Sequence, residues 1–227
     1  RHRGGERARR RHRRSEAVPV NEKFGRLEGV AAALPWTNVD TDLIIRIERC
    51  ARVPREQLGE YAFEMARLKP DGNPDPEFPL NDARAAGATI LLAGENFGCG
   101  SSREMAVWAI AGMGIRCVIA PSFGDIFHSN CFQNGVLPIR LPKRAVDALL
   151  TAVADSAGPA QLAVDLPNQT VTAPDGEVHA FDIDPLRKKA LVEGLDAIGV
   201  TLAREADIAR WQAEDRQRRP WSTPERS

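Results

Sequence analysis

The apolar run Thr89-Ile-Leu-Leu-Ala93 opens directly into Gly94-Glu-Asn-Phe-Gly-Cys-Gly-Ser-Ser-Arg-Glu104, and this succession limits what the chain can fold into more than any other stretch. An unbroken apolar run of that length, closed by glycine, predicts a buried strand. Helical periodicity begins beyond it, with Ala106, Val107, Ile110 and Ala111 forming a stripe that can lie on a sheet. Ser101 and Glu104 have the spacing of a capping box, so the helix is expected to start at the serine. Gly98 and Gly100 allow the backbone to come close to whatever lies in front of it. The reading is strand, tight loop and helix N-terminus, with two hydroxyls (Ser101, Ser102) and the Arg103 guanidinium beside the first unpaired N–H groups. Such a constellation favours an anion.

The anion is not expected to be a nucleotide. A phosphate-cradling loop of the form Gly-x-x-x-x-Gly-Lys-Ser/Thr would need a lysine that this loop lacks, and the glycine spacing does not fit a dinucleotide fingerprint. Arginine pairs bidentately with carboxylates as well as with phosphates, and a serine beside it can serve in proton transfer. The structural alternative is a plain capped helix with no ligand.

Charge is unevenly distributed. Lysine plus arginine equals aspartate plus glutamate at 31 each, yet residues 1–14 hold eight arginines and one glutamate, so this arm carries +7 and the remainder −7. The arm has nothing apolar to bury beyond one alanine, and residues 1–20 are expected to be a disordered basic extension. With no aromatic residues interleaved and an acidic body behind it, nucleic acid is not the expected partner. No run is long enough to span a membrane, and the four cysteines (Cys50, Cys99, Cys117, Cys131) include no Cys-x-x-Cys pair. They read as reduced thiols of a cytoplasmic protein, Cys99 as a small buried residue supporting the loop, and they offer no clustered thiolates for an iron–sulfur centre.

Phe24 to Leu34 and Val39 to Ile45 read as two early strands, followed by a polar stretch with prolines at 54, 70, 74, 76 and 79 and a short helix within Arg55 to Leu68. Beyond the loop and its helix come a strand at Cys117 to Ala120, a helix at Gly124 to Gln133 ended by Asn134-Gly135, and a strand at Val136 to Leu141. A helix follows from Lys143 to Ala154, then a hairpin of Gln161 to Leu166 with Gln169 to Thr172, and a third strand at Glu177 to Phe181. Asp184-Pro185 begins a helix expected to continue until Gly199, and a charged helix from Arg204 to Arg216 closes the chain. The fold class is α/β with a mixed sheet. The expected organisation is the arm at 1–20, one domain at 21–203, and a C-terminal helix and tail at 204–227.

Several uncommon strings occur together in one order: Asn38-Val-Asp-Thr-Asp-Leu-Ile-Ile45, the loop Glu95 to Glu104, Val118-Ile-Ala-Pro-Ser-Phe-Gly-Asp-Ile-Phe127, Asn134-Gly-Val-Leu-Pro138 and Gly194-Leu-Asp-Ala-Ile-Gly-Val-Thr-Leu202. From about Phe24 to Leu202 the chain resembles the small-subunit family of 3-isopropylmalate dehydratase, the swivelling domain of the aconitase family. The resemblance implies a β/β/α swivelling domain, a mixed sheet with flanking helices. It also implies a cluster-bearing large-subunit partner whose [4Fe-4S] centre acts as Lewis acid on a 2-hydroxy dicarboxylate. By motif, Ser101 is then the catalytic base, Ser102 and Arg103 bind a substrate carboxylate, and Asp42 is a further substrate-site residue. His128 and His179 fall outside these motifs and read as structural.

Two departures from the family pattern bear on substrate. Met105 stands where the family has histidine, and Arg46, Glu48 and Arg49 stand where it has proline and an aromatic-leucine pair. The segment Arg46 to Pro54 is the expected specificity element. If its charges face a dry pocket, a smaller or more polar diacid such as a methylmalate/citraconate or dimethylmalate pair is favoured, whereas charges turned away leave the branched isopropyl acid. A non-catalytic anion-binding module is the alternative from another class, although sensing an anion requires no base beside the arginine.

Overall fold

The computed structural model describes residues 22–222. The Arg-rich arm at 1–20 and the last residues of the tail lie outside that range. In chain order the elements are β1 (Arg26–Leu34), the short helices α1 (Thr41–Ile44), α2 (Ile47–Cys50) and α3 (Glu64–Arg67), β2 (Ile90–Ala93), α4 (Glu104–Gly112), β3 (Cys117–Ala120), α5 (Asp125–Gln133), β4 (Leu137–Arg140) and α6 (Lys143–Ala154). They continue with β5 (Gln161–Asp165), β6 (Thr170–Thr172), β7 (Val178–Ala180), α7 (Pro185–Glu193), α8 (Ala197–Leu202) and α9 (Glu205–Arg218).

The seven strands form one mixed sheet in the order β4-β3-β2-β1-β5-β6-β7. Its joint is β1, which is long enough to serve two neighbours in succession. The first half pairs antiparallel with β5, from Arg26 opposite Asp165 to Val30 opposite Gln161. The second half pairs parallel with β2, from Ala31 opposite Ile90 to Leu34 opposite Ala93. Strands β2, β3 and β4 continue the parallel half, while β5, β6 and β7 form an antiparallel meander.

Both faces of the parallel half are covered, which is why β2 and β3 are wholly buried and apolar without alternation. Side chains still divide by parity. Leu91, Ala93, Val118 and Ala120 face a core completed by Val107 and Ile110 of α4, Phe127 of α5 and the aromatic pair Phe63 and Phe78. Ile90, Leu92, Cys117 and Ile119 face the opposite core, built with Val146, Leu149 and Val153 of α6 and with Leu162 and Val164 of β5. This is the mixed α/β sheet with flanking helices that the sequence predicts.

Four local expectations are corrected. Val39 to Ile45 is not a strand: after one bridge between Asp40 and Cys99, the Asp40 carboxylate accepts from the Leu43 N–H at 2.7 Å and caps the short helix α1. The helix within Arg55 to Leu68 is a 3-10 helix at Arg55–Tyr61 followed by α3, because Phe63, at φ 55°, turns the chain between them. Helix α7 stops at Gly194, whose left-handed φ of 71° ends it, and Asp196 then caps α8 separately through the Gly199 N–H at 2.7 Å. The helix after the glycine loop starts at Glu104, with Arg103 as an extended N-cap residue and no side-chain cap.

Helix α4 is pressed against the 3-10 helix Arg55–Tyr61 at a backbone-to-backbone approach between Gly112 and Gly59. A Cβ on Gly59 would run into the Gly112 carbonyl, and one on Gly112 would meet the Gly59 nitrogen at 2.8 Å. No rotamer can relieve either clash. Gly59→Ala is expected to lower unfolding stability by about 1–3 kcal/mol in urea denaturation. Gly158→Ala, with open space around it, is expected to leave stability unchanged within about 0.5 kcal/mol.

Candidate functional site

The glycine loop lies at the carboxyl end of the parallel strands, where the connections leaving β1, β2 and β3 converge, the usual position for a ligand site in such a sheet. It is seated there by its backbone. The Gly98 N–H donates to the Val39 carbonyl at 2.7 Å, and the Thr41 N–H donates to the Cys99 carbonyl at 3.0 Å. On the other side the Phe97 N–H donates to the Ser122 carbonyl at 3.1 Å and the Gly124 N–H to the Phe97 carbonyl at 2.9 Å. The loop is thus stitched between the segment after β1 and the segment after β3. Gly98, at φ 72°, lies on the ring of Phe127, where no side chain would fit.

Beyond Gly100, Ser101 and Ser102 are exposed and belong to no helix. The expected capping box is absent, because the helix starts at Glu104 with Arg103 at the cap position and the Glu104 carboxylate is engaged elsewhere. The Ser101 carbonyl accepts from the buried Thr41 hydroxyl at 2.9 Å, and the Glu104 carboxylate accepts from the Asn134 amide at 2.9 Å. Both serines are exposed at the approach to α4, a helix N-terminus whose first N–H groups lack the usual intrahelical acceptors.

Arg103 and Asp42, predicted separately from motifs 61 residues apart, come together as a charge-assisted hydrogen bond. The bond to Asp42 holds the Arg103 guanidinium above its ordinary pKa. The Arg103 side chain is 14% exposed and that of Asp42 55%, so the cation lies at the floor of the site and the carboxylate at its rim. Cys50, which the sequence did not mark for this place, lies close enough for Arg103 and Asp42 to influence it electrostatically, but burial is the larger effect and pushes its thiol up. Cys99 is half-buried rather than buried and contributes through its backbone.

Arg46, Glu48 and Arg49 do not point bare charge at the site. Arg49 donates from Nε to both oxygens of Glu64, at 3.1 and 2.9 Å, and stacks 4.2 Å above the Tyr61 ring. Arg46 pairs with Glu48 at 3.3 Å and reaches Glu64 at 3.8 Å. Glu64, outside the segment, is the main partner of Arg49 and a second partner of Arg46, a role that only the fold reveals. Met105 packs against the core of Val107 and Ile110.

Among the described residues no group of three or more His, Cys, Asp and Glu side chains could hold a metal ion. Cys117 and Cys131 are sealed in the core, and burial drives their thiols well above the ordinary range. None of the described helices is long and apolar enough to cross a membrane.

Comparison with known proteins agrees with this fold. Residues 21–144 match the model of the aconitase C-terminal domain, and residues 147–185 match that of LeuD_N. The 3-isopropylmalate dehydratase small subunit of Roseobacter denitrificans is 50% identical over 200 residues, covering 88% of this chain and 99% of its own length. That of Paramagnetospirillum magneticum is 51% identical with the same coverage. A crystal structure of the 3-isopropylmalate dehydratase of Methanocaldococcus jannaschii superposes with a TM-score of 0.60 at 26% identity, covering 82% of this chain and 99% of that one. The fold and site define an aconitase-type small-subunit domain. The chain belongs to the family of 3-isopropylmalate dehydratase small subunits, and a small subunit implies a large-subunit partner.

His128 lies apart from the loop, between the rings of Phe123 and Phe132, with Arg187 at 3.3 Å from its Nδ1. Burial first, then Arg140 and Arg187, push its pKa down from 6.5 to about 4. Between those values the unfolded chain binds the proton more readily than the folded one, so stability falls as pH drops from 6.5 towards 4. His128→Gln is expected to flatten part of that decline in urea midpoints measured across this window.

Proposed function

We propose that this chain supplies the proton-transfer and carboxylate-binding half of a dehydratase site that is completed by a cluster-bearing large subunit, acting on 2-isopropylmalate. The observation that carries this reading is the juxtaposition of the two exposed serines with the Arg103–Asp42 pair. It occurs in a chain half identical to named dehydratase small subunits over nearly their whole length.

Ser101 is the catalytic base. A serine hydroxyl is a weak acid, and the positive environment created by Arg103 and the α4 N-terminus favours the alkoxide that removes a proton from substrate carbon. Ser102 donates to a substrate carboxylate, and Arg103 binds it through its planar fork. Asp42 orients the guanidinium beforehand, then shares it with the substrate. The [4Fe-4S] cluster belongs to the large subunit and supplies Lewis acidity there, while the part of this chain is to bind, orient and move the proton.

Arg46, Glu48 and Arg49 form the specificity segment. Because Arg49 pairs with Glu64 and Arg46 with Glu48 and Glu64, the segment carries paired rather than bare charge, which supports a branched apolar substrate group over a methylmalate or dimethylmalate substrate. The retention of a serine base beside the arginine also speaks against a pure anion sensor.

The test is kinetic and requires the enzyme assembled from both subunits. It is expected to prefer 2-isopropylmalate over 2-methylmalate in kcat/KM, and the reverse preference would overturn the substrate assignment. Ser101→Ala is expected to lower kcat by about 10²–10⁴-fold with KM changed by less than about threefold. Arg103→Lys, which loses the fork, should lower kcat/KM by about 10–100-fold with KM raised. A Ser101→Ala rate within about tenfold of wild type would remove Ser101 as the base.

A further inference from the structure

We infer that Asn134 is a positioning residue for the reaction, a brace that sets the N-terminus of α4 and through it the placement of Ser101 and Arg103. This rests on the function proposed above. In the sequence Asn134 marks only the end of α5, but its side chain is fully committed in the fold. The amide oxygen accepts from the Trp108 indole N–H at 2.8 Å and from Arg55 at 3.0 Å. The amide nitrogen donates to the Glu104 carboxylate at 2.9 Å and to the Asn130 carbonyl at 2.9 Å. Both acceptor lone pairs and both donors of the amide are used, at a part-buried position, on three different elements.

The geometry makes α5 a splint for the catalytic loop. At its start, the Gly124 N–H holds the Phe97 carbonyl and the Phe127 ring lies on Gly98. At its end, Asn134 holds Glu104, the first residue of α4 and the immediate neighbour of Arg103. The loop is fastened to the same helix before and after the serines. A second consequence is electrostatic. Glu104 lies next to Arg103 in sequence, and while the Asn134 amide engages its carboxylate, that carboxylate is drawn away from competing with Asp42 and substrate for the guanidinium. Arg55, stacked 4.7 Å over the Trp108 ring and bonded to Asn134, ties the chain just after the specificity segment into the same brace.

The experiment uses the assembled two-subunit enzyme with N134D, E104Q, the double variant and Trp108→Phe. Aspartate at 134 keeps both acceptors but puts an oxygen in place of the donor to the Glu104 carboxylate and the Asn130 carbonyl, whereas glutamine at 104 restores the first of these two bonds with its polarity reversed. We expect N134D to lower kcat by about 30-fold or more, and the double variant to return to within about threefold of E104Q. Trp108→Phe, which removes one donor to Asn134, should lower kcat by about threefold to tenfold. Backbone amide exchange of residues 94–108 should be at least about tenfold faster in N134D and slow again in the double variant. This readout needs no substrate, so an enzyme inert towards isopropylmalate would sink the functional reading while leaving the brace to be judged by exchange. If N134D lowers thermal stability but exchanges in this loop as wild type does, or if E104Q fails to rescue it, Asn134 merely stabilises the fold and the inference is wrong.

Discussion

No side chain fits between Gly98 and the ring of Phe127, nor between Gly124 and the Gly98 carbonyl, and the site depends on that closeness. It lets the loop after β2 lie backbone to backbone on the segments leaving β1 and β3 and satisfy its own N–H and C=O groups there. A loop fastened by main-chain bonds on both sides has little freedom left, and the two serines and the arginine that follow inherit its position. Pre-organisation of this kind is what a base and a carboxylate clamp require, since small misplacements at a reacting centre cost rate steeply.

Two arginine pairs show how the fold sorts charge. Arg49 has both oxygens of Glu64 and the face of Tyr61, so its charge is met by a carboxylate and its plane by a ring. Arg103 has a single oxygen of Asp42 and lies at the floor of an open site, beside exposed hydroxyls. A planar guanidinium held at one end by one carboxylate retains donors for a second. The first arrangement stabilises a surface segment and the second prepares a binding group, although in the sequence both are arginines a few residues from an aspartate or glutamate.

Elements defined by local pattern are legible in the amino-acid sequence. Strands β2 and β3, helix α6 with its apolar stripe, and the hairpin of β5 and β6 all stand where periodicity and turn residues put them, because burial on both faces or on one face prints itself on the sequence. The motif strings that carry Asp42, Ser101, Ser102 and Arg103 are equally legible, and so is the family they resemble. Where local pattern misleads, the residues have long-range partners. Val39 to Ile45 has the apolar content of a strand, yet Asp40 caps a helix there and the Ile44 carbonyl is taken by the distant Phe63 N–H. Ser101 and Glu104 have the spacing of a capping box, yet the helix starts at Glu104, later than that spacing implies, and Asn134, 30 residues from Glu104, takes its carboxylate.

The sequence by itself therefore determined the class of fold, the glycine loop between β2 and α4 and the residue types gathered there, since these follow from spacing along one chain. Tertiary structure decided where α4 begins, that Arg103 and Asp42 form one unit, that Glu64 pairs with Arg49 and lies near Arg46, and that Asn134 joins three elements. The reason is physical: a hydrogen bond or an ion pair is chosen by distance and desolvation in three dimensions, and residues separated by dozens of positions leave no periodic trace of the partner they will meet.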